Sequence, residues 1–120
     1  MRTRHMKAHL GAPAIALTVI TTLTGIGVLA PFAQSQAITV SQRGREFKPT
    51  EITIKRGETV NVVNDDGDLR HHAYIDAEKF NFDSGDQEPG TKASITFPLT
   101  GDFEVLCAIH PKMKLVVHVK

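Results

Sequence analysis

From Ile38 to the C-terminus, the apolar residues of this chain recur at every second position, in short runs separated by turn formers. Glu51-Ile52-Thr53-Ile54-Lys55 alternates polar with apolar, and Phe103, Val105 and Cys107 fall on one parity, as do Leu115, Val117 and Val119. A period of two places side chains on opposite faces of a strand, and β-branched residues suit that pleat. No stretch carries a helical period of useful length. Short strands spaced by turns predict an all-β antiparallel sandwich, with its core between two sheets.

The strands expected are Ile38–Val40, Glu51–Lys55, Thr59–Asn64, His71–Asp76, Lys92–Phe97, Phe103–Cys107 and Lys114–Lys120. Gly57 turns the second into the third, Asn64–Asp68 forms a turn cluster, and Thr100-Gly101-Asp102 turns the chain again. Residues 77–91 are acidic and rich in turn formers, and read as irregular. In the His71–Asp76 strand, His71, Ala73 and Ile75 share one face, while His72 and Tyr74 share the other.

The first 37 residues have a different character. Arg2, Arg4 and Lys7 occur with no acid, Leu10 to Phe32 carries no charge, and Ser35-Gln36-Ala37 offers a small-x-small cleavage site. That order is the pattern of a Sec-type secretory signal, which predicts residues 1–37 as a leader, residues 38–120 as one domain, and a periplasmic location. A retained membrane anchor is the competing reading, since the uncharged stretch approaches the length of a spanning helix. Gly11, Pro13, Gly25, Gly27 and Pro31 disfavour a permanent helix there. The leader takes three of the 14 basic residues and none of the 13 acids, leaving 83 residues with a formal charge of −2. No basic excess remains to favour nucleic acid.

The chain has one cysteine and so no internal disulfide. A lone cysteine in an exported domain this small calls for a specific role, and a metal is the usual alternative to a disulfide. Cys107-Ala108-Ile109-His110-Pro111-Lys112-Met113 places a thiolate, an imidazole and a thioether three residues apart, at the end of one strand and before the next. Thiolate and thioether with imidazole favour copper, and two histidines, one cysteine and a weak axial methionine form the blue-copper arrangement. The bland alternative is a buried cysteine, a surface histidine and a core methionine close in sequence by chance. For the second histidine, strand parity points His71 toward the core. His72 faces the other way, as a surface or supporting histidine, and His118 is out of phase with Leu115, Val117 and Val119.

Across residues 38–120 these features resemble the small blue-copper cupredoxins of the plastocyanin, pseudoazurin and amicyanin type. Phe47-x-Pro49 and Ile52-Thr53-Ile54-Lys55-x-Gly57-Glu58-Thr59-Val60 resemble the family's opening strands, and Asn64 to His71 its first-ligand region. Phe82-Asp83-Ser84-Gly85, Pro89-Gly90 and Phe97 resemble the segment before the ligand hairpin. Gly101-x-Phe103-x-Val105-x-Cys107-x-x-His110-x-x-Met113 resembles that hairpin, with a spacing most similar to amicyanin. The resemblance implies a cupredoxin-like Greek-key sandwich of about seven to eight strands with antiparallel and mixed pairing. It also implies one type 1 copper ion on His71, Cys107, His110 and Met113. Three positions depart from the pattern: Arg70 and His72 stand where the family often has Pro and Asn, and that Asn commonly ties the two ligand loops together. Leu115 also replaces a glycine often seen after the methionine.

The implied function is one-electron transfer between periplasmic redox proteins: a dehydrogenase or cytochrome as donor, a cytochrome or oxidase as acceptor. The chain would act as a monomer, without nucleic acid, and without a membrane unless the leader is retained. His110 would present its edge at the surface among Ala108, Ile109 and Pro111. A periplasmic copper chaperone or store using the same ligands is the alternative, and adjacent His71 and His72 lend it support. A Cys107–His110 nucleophile–base pair would make an enzyme, but no orienting carboxylate is evident. Lys112 and Lys114 flank the motif while Asp65, Asp66 and Asp68 precede His71, and the sequence assigns neither group a partner.

Overall fold

The computed structural model describes residues 36–120, together with Gly11, Pro13, Ala14 and Gly27. The expected leader over residues 1–37 therefore falls almost wholly outside the described residues. The chain divides at Phe32, and every described strand lies in the unit Ala33–Lys120.

That unit contains nine strands: β1 (Ile38–Gln42), β2 (Phe47–Lys48), β3 (Glu51–Ile54), β4 (Thr59–Asn64), β5 (Ala73–Ala77), β6 (Phe80–Asp83), β7 (Lys92–Thr96), β8 (Gly101–Cys107) and β9 (Lys114–Val119). They form two sheets, ordered β2-β1-β4-β7 and β3-β9-β8-β5-β6. The pairs β1–β4 and β3–β9 are parallel and the rest antiparallel, so the sandwich is mixed, as the cupredoxin resemblance implied. It is not antiparallel throughout as the strand pattern predicted, because alternation fixes a strand's faces but not the direction of its partner. The additional strands are β2, only two residues long, and β6. Phe80–Asp83 lies inside the segment read as irregular. Its residues pair with β5 from Tyr74↔Asp83 to Ala77↔Phe80 across a two-residue turn, Glu78-Lys79. The surrounding acids and turn formers masked a hairpin whose strand gains its order from β5 rather than from its own propensity.

Strand parity sets the core. Val40, Val60, Val62 and Ile95 face inward from one sheet; Ile54, Ala73, Ile75, Val105, Leu115, Val117 and Val119 face them from the other. Each fully buried Val, Ile or Leu contributes about 1.5–3 kcal/mol relative to an exposed one. Phe80, Phe97 and Phe103 pack as a trio with ring centroids 5.5–5.8 Å apart. Phe103 lies near the start of β8, so this trio fills the end of the sandwich remote from Cys107 and anchors β6 to the core.

At the other end the inward-facing positions turn polar. Gln42, Asn64, His71 and Gln87 are buried there, beside Cys107 and Met113. A buried polar group costs free energy unless it finds a partner, so this end of the core marks where the fold does something other than exclude water.

Candidate metal centre

Cys107 is the last residue of β8 and pairs with Ala73, the first of β5. That register brings the residues just before β5 alongside the loop that follows β8. His71 is fixed by a two-way bridge to the 84–91 loop: its N–H donates to the Gln87 carbonyl at 3.0 Å, and the Gln87 N–H donates back at 2.7 Å. The loop after Cys107 closes through the Met113 N–H, which donates to the His110 carbonyl at 3.0 Å.

Three of the four expected ligands converge. Nδ1 of His71 lies 3.8 Å from the Cys107 Sγ, Nδ1 of His110 lies 3.7 Å from it, and the two Nδ1 atoms are 3.2 Å apart. The point equidistant from these donors lies about 2.1 Å from each, within the about 2.0–2.3 Å at which imidazole nitrogen and thiolate sulfur bind a first-row ion such as zinc. Met113, 1% exposed, is packed into the core at the end of the same loop. Soft sulfur with two imidazoles in a buried trigonal set suits copper.

The tautomer of His71 is set from behind. Its Nε2 lies 2.6 Å from Oδ2 of Asp66, and an ionised carboxylate there accepts a hydrogen bond from Nε2–H, which leaves the Nδ1 lone pair facing Cys107 and His110. Asp66 is held in turn: its Oδ1 accepts from the Gly44 N–H at 3.0 Å, and its own N–H donates to Oδ1 of Asn64. Burial opposes the charge on Asp66, but the Gly44 amide and His71 outweigh it and keep its pKa below the ordinary carboxylate value. Asn64 also donates from Nδ2 to the carbonyls of Leu69 and Gln87, both at 2.8 Å. A single buried amide thus joins β4, the first-ligand loop and the 84–91 loop. His110 is only half-buried; burial, then His71 and Arg45, hold its pKa below the usual imidazole value and favour its neutral form.

Asp66, Asn64 and Gln87 are the functional residues that sequence reasoning missed. Asp65-Asp66-Gly67-Asp68 reads as a solvated acidic turn, and nothing in its spacing tells which carboxylate turns inward. The departures from the family pattern acquire roles. The two ligand loops are tied through backbone, the Ala108 N–H donating to the His72 carbonyl at 2.9 Å, so no side chain is needed at position 72 for that purpose. The His72 ring points away from the metal donors and sits between Asp83, 2.6 Å from Nε2, and Asp86, 3.0 Å from Nδ1. Arg70 reaches Glu88 at 2.8 Å and Asp86 at 3.4 Å. His118 lies on the outer face of its sheet, between Asp102 and Glu51.

The backbone amides of Asn64 and Ala108 donate to the carbonyls of Thr91 and His72, both at 2.9 Å, and not to the Cys107 sulfur.

A family model described as copper binding proteins of the plastocyanin/azurin family matches residues 34–120. No curated protein matches the sequence. Among solved structures, a Cu-containing nitrite reductase (NirK) from Thermus scotoductus SA-01 is similar at 32% identity and a TM-score of 0.64, over 70% of this chain but only 22% of that longer one. A reduced Cu(I) form of an amicyanin variant at pH 4 is similar at 24% identity and a TM-score of 0.65, over 71% of this chain and 83% of the other. A second reduced amicyanin variant gives 24% identity and a TM-score of 0.66, over 72% and 84%. The match over residues 34–120, the two-sheet fold and the convergent sulfur and imidazole donors agree: the chain belongs to the plastocyanin/azurin family of copper-binding proteins, as a blue-copper cupredoxin.

Proposed function

We propose that the protein is an exported one-electron carrier, with copper held by His71, Cys107, His110 and Met113. Copper supplies the Cu(I)/Cu(II) couple; the rest is the work of the chain. Cys107 is fixed at the end of β8 and His71 by its bridge to Gln87, and the β5–β8 pairing and the Ala108–His72 bond limit how far the donors shift when charge changes. Asp66 holds His71 in the ligating tautomer. Met113 would add a weak thioether donor that tunes the potential. His110 is the donor nearest solvent, beside Ile109 and Pro111, and is the route by which an electron leaves.

The observation that carries this reading is the convergence of two buried donors, His71 and Cys107, with a third that reaches the surface. A chaperone or store would gain from a second adjacent imidazole, but His72 is engaged by Asp83 and Asp86 on the other side of the strand. A nucleophilic enzyme would need an accessible thiol, and Cys107 is 2% exposed. The reading further places the protein in the periplasm between a donor and an acceptor protein, in keeping with the signal-like leader. The visible spectrum of the copper-loaded protein tests it: an intense thiolate-to-copper band, bleached and restored by a one-electron redox dye, and absent in Cys107→Ser. A colourless protein that binds only Cu(I) would instead establish a chaperone.

A further inference from the structure

Arg45 stands out by its backbone. With Gly44 at φ 64° it forms the turn between β1 and β2, and it holds φ at 60° without being glycine. A left-handed backbone costs an L-residue about 1–2 kcal/mol, and turns with two positive φ values are ordinarily filled by Asn, Asp or Gly. Such strain persists where the surroundings impose it, often at functional surfaces. Arg45 also forms no ion pair among the described residues, although acids lie on the neighbouring loops. Asp66 is taken by Gly44 and His71, Glu46 by Lys48 at 3.6 Å, and Asp86 and Glu88 by Arg70.

What Arg45 faces is the outer edge of the metal centre. A cavity of about 550 Å³ separates its turn from the ligand loop, with Arg45, Glu46, Ile109, His110, Pro111 and Lys112 in its wall. A second hollow of about 220 Å³ shares Arg45, Glu46 and Lys112 and runs on toward Thr50. Lys112 is exposed and, among the described residues, equally without an ion-pair partner. Ile109, 43% exposed, is the large apolar side chain left in solvent among those residues. An apolar spot beside the edge of His110 is thus flanked by two free cations, in a domain whose 83 residues sum to −2.

Resting on the electron-carrier reading, we propose that Arg45 and Lys112 form a cationic rim that seats a carboxylate-bearing redox partner over Ile109 and the edge of His110. The left-handed turn aims Arg45 at that place. An acidic partner would meet repulsion from the domain's net charge and attraction at this rim, so the local reversal of sign orients the encounter as well as accelerating it. The apolar contact is small, as befits a redox encounter that must dissociate after each electron.

Gold electrodes carrying a mixed carboxylate- and methyl-terminated monolayer imitate such a face. The copper-loaded protein should give a reversible couple there that weakens steeply with added salt, and a far weaker one on an amine- and methyl-terminated monolayer. Arg45→Asn, a residue that tolerates positive φ, combined with Lys112→Gln should keep the visible spectrum and shift the solution potential only downward, as loss of cations near His110 requires, so interfacial rates are compared at equal driving force. It should lose about tenfold in interfacial electron-transfer rate at low salt. Lys55→Gln with Lys79→Gln, the same charge change at the opposite end of the sandwich, should lose little.

An unchanged rate in the rim variant, an equal loss in the remote one, or an equal response on the amine surface would overturn the proposal. So would cosedimentation with phosphatidylglycerol vesicles or self-association through the rim, which would give the surface another occupant. Absence of a reversible couple in solution dye titration would overturn the electron-carrier reading itself, and the proposal with it.

Discussion

At His71, what the imidazole does is decided by its neighbours. Strand parity turns it inward, the bridge to Gln87 fixes its backbone, and Asp66 accepts a hydrogen bond from Nε2–H so that Nδ1 faces the metal position. Carboxylates behind metal-bound imidazoles raise ligand basicity, and their loss typically costs about 10–100-fold in affinity. Asp66→Asn should therefore weaken copper binding by about that factor. It should also raise the reduction potential, because an anion beside the ligand favours the higher copper charge. Competition with a chelator and potentiometric dye titration would check the two effects separately. His71 was legible from alternation alone. Asp66 was not, because an acidic turn has no period from which to tell an inward carboxylate from a solvated one.

Strands and loops divide the labour between them. The hairpin β8–β9 carries Cys107 and Met113, the bridge to Gln87 just before β5 positions His71, and the buried Asn64 side chain adds a tie among β4, the first-ligand loop and the 84–91 loop. On the outer face of the second sheet, His118 of β9 is held between Glu51 of β3 and Asp102 of β8, one carboxylate on each ring nitrogen. Hydrogen bonds to Asp102 and Glu51 raise its pKa above 6.5 despite the slight opposing effect of burial. A raised folded-state pKa means that this linkage is fully present below the unfolded value near 6.5 and is lost as pH rises through the higher folded one. Denaturant midpoints of the wild type should fall as pH is taken from about 6 upward through that window. His118→Gln should flatten that part of the profile. Strand parity had placed His118 outward, but its two carboxylate partners sit on β3 and β8, 67 and 16 positions earlier in the chain.

As a whole, the domain is small for a single core and has no disulfide, so a bound metal weighs heavily in its stability. A ligand that binds only the folded state stabilises it by about 4 kcal/mol at a thousand times its dissociation constant. For a domain of this size each kcal/mol moves the melting temperature by about 4–8 °C. Removing copper should therefore lower Tm by about 15–30 °C under such loading, with the two sheets still formed; differential scanning calorimetry of apo and copper-loaded protein measures it. Equal melting temperatures would mean that the donors bind copper no better in the folded chain than in the unfolded one. What the sequence by itself determined were those features carried by local periodicity and short spacing: the strands with clear alternation, the inward face of His71, and the Cys107, His110, Met113 series on one loop. Tertiary structure alone decided the features that need distant segments to meet. These are the pairing that orders β6, the choice of Asp66 over Asp65 and Asp68, the Ala108–His72 bond that joins the loops without the family's asparagine, and the approach of the Arg45 turn to His110. Periodicity is a property of neighbours along the chain, whereas a hydrogen bond or an ion pair is a property of neighbours in space.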